Sequence, residues 1–157
     1  MEAAIAIISR WLHVSAAAVL IGGVFATLLV LPAALKRLDE PRRDAALAGW
    51  RRALRRTVHI ALAVLLISGT YNTAVVWSVY KSQRALLHAL WGTHVLLALL
   101  ALGSALLSMA GDAARPWHRK WIAATLVLLL ATAATASGTK WARDRAQARP
   151  TEPARIP

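Results

Sequence analysis

The sequence predicts an all-α, polytopic membrane protein: a bundle of four transmembrane helices with both termini on the outer side (N-out, C-out). Three observations carry this. The 157 residues are 58% hydrophobic, with a mean hydropathy of +0.51, too apolar for an ordinary soluble domain of that size. Four runs without Asp, Glu, Lys or Arg, namely Trp11–Leu35, Thr57–Tyr80, Ala85–Gly111 and Trp121–Thr139, each come close to or exceed the roughly 20 residues that cross about 30 Å of hydrocarbon. The 19 Lys and Arg, against 7 Asp and Glu, gather between those runs. There the net charge of +12 reads as contact with lipid headgroups and not with nucleic acid.

The transmembrane domain is expected over residues 1–142, with helices at about 8–35, 57–80, 85–110 and 121–140, and a polar, disordered tail over 143–157. Glu2 ahead of the first apolar run and the absence of a basic n-region argue against a cleavable signal peptide. In the first helix Pro32 stands near the far end, where a helix kinks or stops, and Gly22-Gly23 in the middle invites close helix packing. Lys36–Arg56 holds eight basic and three acidic residues. It reads as a loop, broken at Pro41, with a short amphipathic surface helix from Arg42 onward. The second helix carries His59 at its basic edge, Gly69 at its centre, and Trp77 and Tyr80 at its far end. A connector, Lys81–Arg84, leads to the third helix, and a loop, Gly111–Lys120, carries His118. The fourth helix has no histidine; its Thr125, Thr132, Thr135 and Thr139 can bond their own helix or a neighbour. The loops after the first and third helices hold eleven Lys and Arg against eight elsewhere, which predicts the N-out, C-out orientation; the expected location is the bacterial inner membrane, as a multi-pass protein.

The third run is where function is expected. From His94, steps of three, four, seven and eleven residues reach Leu97, Ala98, Ala101 and Ala105, so an imidazole heads a stripe of small side chains on one face. Ionisable groups within a membrane are costly and face protein, water or a cofactor. Heights counted at about 1.5 Å per residue put His13 and His88 level and His94 deeper, one candidate layer between helices one and three. His88 and His94 lie about 120° apart around their helix, which does not suit joint binding of one small ion. His59 and His118 fall at the other end. With no cysteine, a metal must use His, Met or oxygen.

With these residues in view, WLHVSAAAVLIGGVF, RRTVHIALAVLLISGTYNT and YKSQRALLHALWGTHVLLALLALGSAL resemble the first three helices of the CopD-type copper-resistance membrane domain and of its relative, the HemJ-type protoporphyrinogen oxidase. The likeness covers roughly Trp11 to Ser108 and implies a four-helix bundle handling haem or copper. In the HemJ type a helix-one histidine and a helix-three lysine are held to bind haem b. His13 matches the first, while Trp91-Gly92-Thr93-His94 sets a histidine at or beside the second. The expectation is therefore a haem b protein, acting in electron transfer or porphyrin oxidation, with His13 and His94 as iron ligands and His88 as substitute. Two alternatives stay open. One is copper transport or resistance, using His13, His88 and Met1, with Met109 lying toward the other end. The other is an accessory subunit packed on further membrane subunits or on a second copy of itself.

Overall fold

A computed structural model describes residues 2–81, 85–110 and 117–147. The described residues fold into four helices: α1 (Glu2–Ala34), α2 (Glu40–Lys81), α3 (Ala85–Ala110) and α4 (Trp117–Gln147). Most of the Lys81–Arg84 connector, most of the Gly111–Lys120 loop and the tail from residue 148 lie outside the described residues. All four helices are long and apolar enough to cross a membrane. Their outer faces suit lipid: Ile67, Trp11, Val14 and Val127 expose between 66% and 74% of their surface, an arrangement that water would penalise.

Helix α1 starts at Glu2, a turn and a half earlier than the sequence suggests, and changes character before its end. Over Ala26–Val30 it opens into a π turn, in which the Leu31 N–H donates to the Ala26 carbonyl five residues back. Pro32 supplies a reason: it has no N–H to donate, and its ring crowds the carbonyl of Leu28, so an extra residue in the preceding turn relieves the clash. Proline here widens the helix, which stops two residues later at Ala34. The turn is tied to α2 through Thr27, whose hydroxyl donates to the Gly23 carbonyl at 2.7 Å and accepts from Trp50 Nε1 at 3.0 Å.

The basic segment departs most from expectation. It is neither a loop nor a separate surface helix: α2 runs unbroken for 42 residues from Glu40 to Lys81. Pro41 occupies the first turn, where a missing N–H costs nothing, and the Ala, Leu and Arg that follow are strong helix formers. At about 1.5 Å per residue α2 is some 63 Å long, and its first turns project well beyond the described end of the 26-residue α3. At the other terminus, α4 continues as helix to Gln147, into the region expected to be a disordered tail. Lys140 bonds Asp144 at 2.7 Å and the Arg145 guanidinium lies 4.0 Å over the Trp141 ring, two contacts that support the extra turns.

The helices pack as two antiparallel pairs, α1 with α2 and α3 with α4; α1 also touches α4, whereas α2 meets α3 sparsely. One α2–α3 contact is aromatic, Trp77 edge-on to Trp91 with centroids 5.7 Å apart. Between α1 and α2 the core is Ala16, Leu20, Val58, Ala61 and Leu62. A Cβ at Gly23 would lie 3.0 Å from Leu54 Cδ1, so that side chain would have to give way, while Gly22 faces open space. The stripe below His94 does face protein: Ala101, Ser104, Ala105 and Ser108 are buried. Ser104 Oγ lies 2.9 Å from the buried Thr125 Oγ1, which also donates to the Trp121 carbonyl. Small side chains bring backbones close enough for such bonds, and in lipid close packing replaces the hydrophobic effect as the glue.

Ala105→Leu should therefore pry α3 from α4 and destabilise the bundle by about 1–3 kcal/mol. Leu107→Ala, on an exposed position of the same helix, should be near neutral. Unfolding in mixed micelles checks this; equal effects of the two changes would contradict the packing described.

Candidate functional site

The sparse contact between α2 and α3 leaves a cleft between the two helix pairs. Its volume of about 1650 Å³ exceeds the roughly 300–1,000 Å³ of ordinary ligand pockets. Arg10 and Lys140 line one end, Lys36, Arg43 and Arg119 the other, and the walls between are mainly Leu, Val and Ala. His13 and His94 both line it toward the Arg10 end.

His13 sits on the buried stripe of α1 that Ser9, Ala16, Leu20 and Val24 define. Its ring is fixed by α2. Nδ1 lies 2.9 Å from Ser68 Oγ, and Gly69 gives room for the ring, because a Cβ there would come within 3.2 Å of His13 Cε1. The proton can be placed by elimination. Ser68 has one hydroxyl proton, and its oxygen lies 2.5 Å from the Val64 carbonyl, a separation that needs that proton between the two oxygens. Ser68 can then only accept from His13, so Nδ1 carries the hydrogen and Nε2 holds a lone pair.

His94 arrives at the same state through α4. Its Nδ1 lies 3.0 Å from the Thr132 carbonyl, which can only accept, so Nδ1 is again protonated and Nε2 again the free base. Thr135 supports the arrangement: its hydroxyl donates to the same carbonyl at 2.9 Å and stands 3.4 Å from Nδ1. The His13 ring also meets the Leu65 backbone of α2, whereas Nε2 of His94 has no hydrogen-bond partner among the described residues. An Nδ1–H held by a protein oxygen, with Nε2 left basic, is the state in which histidine binds metal, and the outer bond fixes both tautomer and ring direction.

The other histidines stand apart. His88 is exposed and does not line the cleft. Its six-residue offset turns it away from the face His94 presents, so matching height along the bundle does not bring it to the site. His59 Nδ1 lies 2.6 Å from the Arg55 carbonyl of its own helix, beside arginines at the far end. The side chains of His118 and Met109, and all of Met1, lie outside the described residues. Among the described residues no three His, Cys, Asp or Glu are grouped to hold a metal ion.

Sequence reasoning paired helices one and three but missed what holds the rings. Ser68 carried a signal, a small polar residue next to glycine within an apolar run. The Thr132 carbonyl carried none, since every residue has one. Searches against protein-family models, curated proteins and solved structures find no match to this chain.

In protein labelled with nitrogen-15 at histidine, His13 should show a protonated Nδ1 and a bare Nε2. Ser68→Ala removes the hydroxyl partner of Nδ1, and the Nε2–H tautomer should enter the mixture. An unaltered spectrum would show that Ser68 does not fix the ring.

Proposed function

We propose that this chain is a haem b-binding membrane protein in which His13 and His94 are the two axial ligands, and that it serves electron transfer. One observation carries the reading: two imidazoles from opposite helix pairs line one largely apolar cleft, each with its Nδ1 held by a protein oxygen. Two nitrogens are fewer than a tetragonal Cu(II) centre takes, whereas a porphyrin already supplies four and asks the protein only for the remaining ligands. The rest of the cleft agrees. Its walls are mainly apolar as a tetrapyrrole face requires, and Arg10, three residues before His13, lies at the same end, where a porphyrin's carboxylates need a cation. The resemblance of the first three helices to the CopD and HemJ types adds to the same reading.

When bound, haem supplies a one-electron couple. The chain's own contribution is to direct both nitrogens, to exclude water with Leu62, Leu65 and Val95, and to set ligand basicity through Ser68 and Thr132. Were haem held by His13 and His94, it would be fixed between the two helix pairs within a mainly apolar cleft, a setting that suits electron transfer.

Haem titrated into the purified protein should give a six-coordinate, low-spin spectrum. His13→Ala and His94→Ala should each weaken binding by at least about 10- to 100-fold, the scale on which even the outer partners of ligating histidines matter. His88→Ala should bind as wild type does, because His88 lies off the cleft. Wild-type affinity in His13→Ala would remove the proposal.

A further inference from the structure

The far end of the cleft has its own chemistry. Lys36, Arg43, Arg51 and Arg119 line it together with Trp50, and no Asp or Glu is among the lining residues. The nearby Asp39 is engaged by Arg42 at 3.6 Å. Arg51 also lines a neighbouring hollow of about 620 Å³ with Arg52 and Arg56, so positive charge accumulates on this side of α2. Arg51 and Arg119 stand about 9 and 3 Å ahead of the apolar runs of α2 and α4, which begin at Thr57 and Trp121, and Lys36 directly follows that of α1, so these three lie near the depth of lipid phosphates. From Lys36 to His13 the cleft follows α1 for about 34 Å, with Leu28, Val24 and Leu20 on its wall.

A small anion would satisfy the cations and leave the walls bare; an apolar molecule would do the reverse. We propose that this end of the cleft binds one anionic phospholipid, its phosphate among Arg51, Arg119 and Lys36 and an acyl chain lying along the walls toward the histidines. Trp50, held by Thr27 at 3.0 Å, gives the headgroup a fixed edge. The lipid fills the part of an outsized cleft farthest from the imidazoles. This site does not depend on the haem reading, since it uses other residues at the opposite end.

The test is native mass spectrometry of the full chain, delipidated in a non-ionic detergent and offered equal amounts of dioleoyl phosphatidylglycerol and dioleoyl phosphatidylcholine. One phosphatidylglycerol should be retained, preferred by about five- to thirtyfold, the scale of one or two basic residues at a charged membrane surface. Arg51→Gln with Arg119→Gln should abolish the preference, and the corresponding double change to Lys should restore most of it. Arg42→Gln with Arg145→Gln, which removes as much charge away from the cleft, should leave it intact. Equal retention of the two lipids, equal losses in the two Gln pairs, or release of the lipid by inorganic phosphate would each overturn the proposal.

Discussion

The bond from His13 to Ser68 is the interaction on which the site depends. A histidine within an apolar helix is costly unless its polar atoms are placed, and Ser68 places one of them without taking the other. It does so because its own proton is spent on the Val64 carbonyl. A serine with a free proton could donate to Nδ1 and leave the hydrogen on Nε2, where it would block a metal. The intrahelical bond, which by itself contributes little to stability, thus decides the chemistry of a residue on another helix. The Thr132 carbonyl does the same for His94 more directly, being unable to donate at all.

Packing explains why these two rings meet across a cavity. Within each pair the interface is made of small groups, Ala16 and Ala61 in one and Ala101, Ser104 and Ala105 in the other, which draw the backbones together. Between α2 and α3 such contacts are few, and Trp77 against Trp91 holds the helices apart at one level by the bulk of two rings. The cleft follows from this inequality. Its two ends differ in kind: imidazoles with Arg10 and Lys140 at one, a dense set of cations at the other. The first suits a flat dianion with a metal centre, the second an amphiphile.

Much of the fold was legible in the sequence because its signals are local and periodic. Four uncharged runs gave four helices, the spacing from His94 found the buried stripe of α3, and the threonines of α4 do bond back to their own carbonyls. What failed had physical causes. The basic segment was taken for a loop because its charge was weighed above its helix propensity, and Pro41 was read as a break when at a helix start it is harmless. Pro32 does mark the end of α1, which stops two residues later at Ala34, but the π turn just before it is not legible in the sequence. At the site, periodicity gives the face on which a residue lies but not the neighbour that face meets. His13 and His94 were therefore found, while Ser68 and the Thr132 carbonyl were not, and His88 was grouped with them on height alone.

In the proposed function, one cleft presents two imidazole nitrogens to one metal centre. Electron paramagnetic resonance of the haem-loaded ferric protein tests it most directly. Ligation by His13 and His94 predicts a low-spin signal of the bis-imidazole type, converted to high spin when either histidine is replaced by alanine. A high-spin signal in the wild-type protein, or a low-spin signal that survives both replacements, would contradict it.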